Sequence, residues 1–242
     1  MQAQAYSHIG AVRKKNEDAV LCDSSLGLFI VADGIGGRLA GEIASSTAVS
    51  ITSKIVRSDP DESPHILLKQ PFYEANNVLF QAGKNPEQLG MGTTMTAAMA
   101  NDKEIFWAHV GDSRAYLIDK NGIQQLTEDH SLVQKLLKEG NITADEARNH
   151  PQKNILVRSL GQESLVNVDI GHNYWQKGDY LLLCSDGFYN MLEEYEIMAL
   201  LAVDDDLNRT VKNMVGLALE RGGFDNISVV LVRCEDGENN DR

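Results

Sequence analysis

Cysteine is scarce in this 242-residue chain, and the three present, Cys22, Cys184 and Cys234, are far apart and odd in number. They share no Cys-x-x-Cys spacing, which argues against a disulfide framework or a cysteine zinc site and fits a reducing compartment. Nowhere do about 18 apolar residues run together, so no membrane-spanning helix is expected. The stretch Met1–Tyr6 has no basic region followed by an apolar run, so a secretion signal is not expected either. Basic charge is also in deficit: 22 Lys plus Arg stand against 35 Asp plus Glu, a formal net charge of −13. A nucleic-acid binder would carry a basic face, so that class is disfavoured. The expectation is a cytoplasmic protein, monomeric by default, with neither membrane nor nucleic acid as partner.

Several catalytic signatures are missing too. There is no Gly-x-x-x-x-Gly-Lys-Ser/Thr loop for nucleotide phosphates. Ser185 does not sit in Gly-x-Ser-x-Gly. No cysteine stands six residues ahead of an arginine, so cysteine-based phosphatase chemistry lacks its nucleophile. The six histidines show no metal-ligand spacing. His109 and His130 are read as structural.

What is present is enough apolar residue, 43%, for one substantial core; a chain of this size buries roughly 70–75% of its unfolded surface. Leu28–Ala32, Thr94–Ala100, Ile105–Val110, Ala115–Ile118, Tyr180–Cys184 and Ile227–Val232 read as strands. Asn121-Gly122 reads as a hairpin turn. Three helices are expected. The first carries Ile43, Ala44, Ala48, Ile51 and Ile55 on one face. The second begins at Ser63-Pro64 and is kinked or restarted at Pro71. The third has its stripe at Leu207, Val211, Met214, Val215 and Ala218 and stops at Gly222-Gly223. Strands and helices in blocks predict an α+β fold with mainly antiparallel sheets covered by helices. No composition break divides it: residues 1–234 are expected as a single domain and 235–242 as a flexible acidic tail.

The informative residues are aspartates at strand ends. Asp33 follows Leu28-Phe29-Ile30-Val31-Ala32 and precedes Gly34. Asp186 follows Tyr180–Ser185 and precedes Gly187. Asp112 follows Ile105–Gly111, and Asp225-Asn226 stands directly before the strand at Ile227. One Asp-Gly is usually a turn. Four carboxylates where buried strands meet turns are costly unless a cation joins them. All-oxygen ligands point to a hard ion, Mg²⁺ or Mn²⁺. Arg13-Lys14-Lys15-Asn16-Glu17-Asp18 adds two carboxylates and a guanidinium fork suited to two phosphate oxygens. Two ions roughly 4 Å apart would activate water for in-line attack on a phosphoester.

At these residues the sequence resembles the metal-dependent protein phosphatases, the type-2C serine/threonine family, in its compact bacterial form. The matching stretches are Arg13–Ala19, Val31–Gly37, Gly92-Thr93-Thr94, Val110–Leu117, Thr127–Ser131, Ser185-Asp186-Gly187 and Asp225–Ser228, in the family's order. The resemblance implies an αββα sandwich: two central, mainly antiparallel β-sheets flanked by helices, with the metals at one end. Carried over position by position, Asp33 bridges two Mn²⁺ or Mg²⁺ ions and Gly34 contributes its carbonyl. Asp186 and Asp225 hold the first ion; Glu17 holds the second, directly or through water. Asp18 orients water from behind the ligands, and Arg13 clamps the phosphate. Asp112 joins Asp186 at a third, weaker metal site. Substrates would be phosphorylated proteins, opposing a serine/threonine kinase in signalling. Asn141–Gly161, with Thr143–Glu146 as a capping box, resembles the family's flap beside the active site. One departure stands out: Ile35 occupies the position of a histidine found in eukaryotic members and cannot transfer a proton. A non-catalytic phosphoprotein-binding module and a small-molecule phosphatase are the alternatives.

Overall fold

The computed structural model of the chain describes residues 1–36, 40–60, 62–203 and 205–235. Gly37, the last residue of the Val31–Gly37 stretch, and all but the first residue of the expected tail lie outside them. The strands are β1 (Gln2–His8), β2 (Asp18–Asp23), β3 (Leu28–Ile35), β4 (Gly92–Thr93), β5 (Met95–Ala100), β6 (Glu104–Val110), β7 (Arg114–Asp119), β8 (Gly122–Gln125), β9 (Asp169–Tyr174), β10 (Tyr180–Cys184) and β11 (Ile227–Arg233). The helices are α1 (Ala40–Ser58), α2 (Pro64–Ala82), α3 (Leu132–Lys138), α4 (Ala144–Arg148), α5 (Asp186–Tyr189), α6 (Glu194–Val203) and α7 (Leu207–Glu220).

Two sheets form, ordered β1-β11-β10-β7-β8 and β2-β3-β5-β6-β9, with β4 attached to β3. The paired strands run antiparallel. Strand periodicity decides the layering, because successive side chains point to opposite faces. In β3, Leu28, Ile30 and Ala32 meet α1 and α2, whereas Phe29 and Val31 face the other sheet. In β11 the same alternation sends Ile227, Val229 and Leu231 toward α7 and Val230 and Val232 between the sheets. The result is helix, sheet, sheet, helix, the αββα sandwich expected from the sequence.

Three helix details differ from expectation or sharpen it. The buried stripe of α1 is Ala40, Gly41, Ala44, Ser45, Ala48, Thr52 and Val56, at four-residue spacing, and Ile43 is 39% exposed. Small residues let the helix axis come close to β3, and that governs which face turns inward. Helix α2 does begin with Pro64, but Ser63 makes no side-chain cap, and the helix continues past the buried Pro71 without restarting. Helix α7 follows its expected stripe, starts at Asp206, which accepts from the Asn208 and Arg209 amides, and ends before Gly222 and Gly223, both at positive φ. The β7–β8 hairpin is present one residue earlier than read: Asp119 pairs with Gly122, so Lys120 and Asn121 form the turn.

Candidate active site

The ends of β3, β10 and the β6–β7 connection meet the starts of β2 and β11 at one edge of the sandwich. Asp18 and Asp33 are direct cross-strand partners. Cys184 at the end of β10 pairs with both Arg114 and Val229. The backbone thereby gathers the carboxylates that the sequence scatters over more than 200 positions. Asp33 feels the negative charge of Asp18, Asp186, Asp112 and Asp225 together. Arg13 reaches the same group, donating from Nη2 to Asp225 Oδ2 at 2.6 Å while half its side chain stays exposed.

Burial, then mutual repulsion, pushes the acids upward. Asp33 and Asp112 rise well above the usual carboxylate range, with desolvation first in both. Asp186 rises to about 6 through burial and then Asp225. Asp18 rises to about 7 through burial, against hydrogen bonds from Ser228 and Ser185 that favour its ionised form. Glu17 is raised by burial more than Arg13 lowers it. Arg13 is itself held more firmly protonated by its bond to Asp225. Lys153, in the flap segment, acts on Asp186 by charge. This is the electrostatic signature of a site built for added positive charge.

Two observations test whether cations fit. Asp18 Oδ1 and Asp186 Oδ1 are buried and lack any hydrogen-bond partner, a costly state for carboxylate oxygens unless a cation meets them. A Cβ built on Gly41 would lie 2.9 Å from both Glu17 Oε1 and the Gly34 carbonyl oxygen, so two oxygen donors look into one small cradle that only glycine leaves open. Among the described residues no three acidic, histidine or cysteine side chains could by themselves hold an ion. Magnesium-type ions commonly keep several waters and take only one or two carboxylates. The donor set, carboxylates plus a carbonyl, fits such a hard ion.

The acids are held by residues whose roles the sequence did not disclose. Asn226 is nearly fully buried; its Oδ1 accepts from the Glu17 amide at 2.8 Å, and its Nδ2 donates to the carbonyls of Ile9 and Lys15 at 2.8 Å each. It ties the Arg13–Asp18 loop to the start of β11. Ser185 Oγ donates to Asp18 Oδ2 at 2.8 Å and accepts from the Ser228 amide. Thr93 Oγ1 donates to the Asp33 carbonyl, and Thr94 Oγ1 accepts from the Asp33 amide at 2.9 Å. Thr94 also bonds Ser113 at 2.7 Å, linking Asp33 to the Asp112 loop. A Thr-Thr pair one strand away from an acid could have raised suspicion of such support; Asn226 could be suspected only from its place beside Asp225.

His109 and His130 are structural, as read. His109 is wholly buried between Thr96 Oγ1 and the Glu128 carbonyl, and burial pushes it down to about 3. His130 accepts the Gly111 amide on Nδ1 and is likewise lowered by burial. Arg114 forms a bidentate pair with Asp129 and stacks on Tyr189 at 3.6 Å. In the flap segment the capping box is formed: Thr143 Oγ1 accepts from the Glu146 amide, and the Glu146 carboxylate accepts from the Thr143 amide.

Known proteins converge on the same class. Residues 5–136 match the protein phosphatase 2C family. The serine/threonine phosphatase Stp of Listeria monocytogenes is 39% identical over 240 residues, covering 96% of this chain and 95% of that one. Among solved structures, the serine/threonine phosphatase of S. agalactiae superposes with a TM-score of 0.88 at 36% identity, over 97% of this chain and 99% of the other. The catalytic domain of the phosphatase PstP, solved in complex with two manganese ions, gives 0.87 at 32% identity over 97% and 98%. The chain belongs to the protein phosphatase 2C family and is a metal-dependent protein serine/threonine phosphatase.

Proposed function

We propose that residues 1–234 act as one catalytic unit that removes phosphate from phosphoserine and phosphothreonine in cytoplasmic proteins, as a monomer and against a cognate serine/threonine kinase. In this reading Asp33, Asp186 and Asp225 would hold one Mn²⁺ or Mg²⁺ ion with water completing their reach, since among the described residues no three side chains close on an ion by themselves. Asp33, the Gly34 carbonyl and Glu17, directly or through water, hold a second, and Asp112 with Asp186 takes a third, weaker one. The observation that carries it is the pair of orphaned oxygens on Asp18 and Asp186 inside a group of acids. The PstP structure with two manganese ions supports two as the core number. Among the described residues no helix is long and apolar enough to cross a membrane, in keeping with a cytoplasmic role.

Divalent cations at such a site supply activated water and neutralise charge in the in-line displacement. The chain's own groups do the rest. Arg13 spends one guanidinium nitrogen on Asp225 and keeps the remaining donors of its fork for phosphate oxygens. Asp18, fixed by Ser185, orients the attacking water and keeps its lone pair aligned. Ile35 donates nothing, so the departing seryl or threonyl oxygen takes its proton from another source, and substrates with better leaving groups gain.

Mn²⁺-dependent phosphate release from a phosphothreonine peptide tests this, comparing the parent with Asp186→Asn. The expected result is metal-dependent turnover that falls by at least about 100-fold in the variant. A parent inert toward every phosphoester in the presence of metal would overturn the reading.

A further inference from the structure

Beside the metal-facing acids lies a cavity of about 560 Å³ that none of the chemistry above uses. Its volume is within the range of ligand pockets, roughly 300–1,000 Å³. One wall is Ile35, two residues along β3 from Asp33, a separation of about 7 Å at strand rise. The opposite walls come from the flap segment at Val157 and Arg158 and from the following loop at Glu163, Leu165 and Val166. The cavity therefore opens where the residue next to, or one removed from, a phosphorylated side chain would pass.

Both outer walls are fixed before anything binds. The Val157 amide donates to the His130 carbonyl at 2.8 Å, and Leu156 bridges Ser131. On the other side Asn76 of α2 accepts from the Gly161 amide at 2.8 Å and donates to the Glu163 carbonyl at 3.0 Å. Gln162 donates to the Gly90 carbonyl at 2.9 Å. A preformed pocket saves the ordering cost of binding.

The lining is of two kinds. Leu165 is 84% exposed and Val157 51% exposed, large apolar surface left in water at the mouth. Of the two charges, Arg158 is neutralised by Asp169 at 2.6 Å, whereas the Glu163 carboxylate has no ion-pair partner among the described residues. An apolar collar with one uncompensated negative charge matches a side chain with an aliphatic stem and a cationic tip. We infer that this cavity is a specificity subsite for a lysine or arginine flanking the phosphorylated serine or threonine, its stem against Leu165 and Val157 and its cation at Glu163. The inference rests on the phosphatase reading above and names its substrate class.

The test uses phosphothreonine peptides identical except for Lys, Leu or Glu at each position up to three residues either side, with p-nitrophenyl phosphate as a substrate too small to reach the cavity. At one or more positions the Lys peptide should exceed the Glu peptide in kcat/KM, chiefly through KM, by about three- to fivefold at low salt, the scale of an exposed ion pair. Added salt should shrink the ratio. Glu163→Gln should abolish the ratio and Glu163→Lys reverse it, whereas Glu220→Lys, the same charge change at the end of α7, should not. Equal rates on Lys and Glu peptides, a Leu preference, a ratio that survives Glu163→Lys, or an equal response to Glu220→Lys would each overturn the subsite. Those outcomes leave p-nitrophenyl phosphate turnover by the parent intact. Its loss on every substrate would instead sink the phosphatase reading and the subsite with it.

Discussion

At the scale of single residues the site depends on groups that never meet the substrate. Asn226 answers three backbone partners from a nearly closed position. Truncation to alanine leaves the Glu17 amide and two carbonyls without it, at about 1–3 kcal/mol for a buried group left unsatisfied. Asn226→Ala should therefore lower stability by about 2–4 kcal/mol in urea unfolding and weaken Mn²⁺ affinity by about 10- to 100-fold, read by titration calorimetry. Undiminished metal affinity in a folded variant would show that the Arg13–Asp18 loop holds its own shape. His109 makes a prediction in pH. Its folded value of about 3 lies below its ordinary 6.5, so the unfolded chain takes up a proton first as pH falls. The contribution to stability is whole above about 6.5 and is lost progressively from there toward 3, by up to about 1.4 kcal/mol per pH unit. Urea unfolding at pH 7 and pH 5 should show a larger drop for the parent than for His109→Gln; parallel drops would mean that the buried imidazole takes up its proton as readily as it does in the unfolded chain.

Whole elements show which signals a sequence carries. Helix α1 brings Gly41 against the Glu17 carboxylate and the Gly34 carbonyl. Alanine is the better helix former by about 1 kcal/mol, but its methyl would occupy the cradle between those oxygens. Gly41→Ala should lower thermal stability, because the Gly34 carbonyl 2.9 Å away is backbone and has to shift along with the Glu17 carboxylate, and should raise the Mn²⁺ concentration needed for half-maximal activity severalfold; unchanged stability with an unchanged requirement would mean that helix and strand move apart without disturbing the cradle. The expected stripe of α1 held at Ala44 and Ala48, which are buried, and at Ile51, which packs against the core, but Ile43 is turned outward and Gly41, Ser45 and Thr52 take buried positions that carry no apolar signal. Of the two outcomes expected at Pro71, a restart is absent, because a buried proline can sit inside a helix that packing holds on both sides. Of the strands, the sequence revealed the interior ones. Apart from the two-residue β4, those it did not reveal, β1, β2, β8 and β9, are the four edges of the two sheets. An edge strand has one partner and a solvated flank, so β1 with Gln2 and Gln4, or β9 with His172 and Asn173, carries little apolar alternation. The carboxylates were legible for the opposite reason. Asp33 and Asp186 stand in Asp-Gly where the apolar runs of β3 and β10 break off, Asp112 follows β6 and Asp225 directly precedes β11, and such junctions of an interior strand with a turn are visible without knowing its neighbours. Thr94, Ser113 and Ser185 were not legible as supports, because a buried hydroxyl has no pattern until its partner is known.

At the scale of the molecule, a chain of net charge −13 gathers six of its acids, Glu17, Asp18, Asp33, Asp112, Asp186 and Asp225, at one end of its sandwich. Burial raises most of them, so that end opposes folding while the rest of the core, with three apolar layers, drives it. The acidic strand ends belong to both sheets: β2 and β3 on one side, β10 and β11 on the other. A cation held between Asp33 and Asp186 would therefore join the two sheets as well as serve the chemistry. Binding to the folded state alone stabilises by about 2.7 kcal/mol at a hundredfold excess over Kd, and a chain of this length gains about 2–4 °C per kcal/mol. Saturating Mn²⁺ should thus raise the melting temperature by about 5–10 °C, in a scan that needs no substrate. Asp186→Asn separates the two roles of that end. Without metal the variant should melt at or above the parent, since one buried negative charge among several has been removed. With metal it should gain little, because a carboxylate that the ion needs is gone. A parent that does not respond to Mn²⁺, or a variant that responds equally, would show that the gathered acids do not couple metal to the stability of the sandwich.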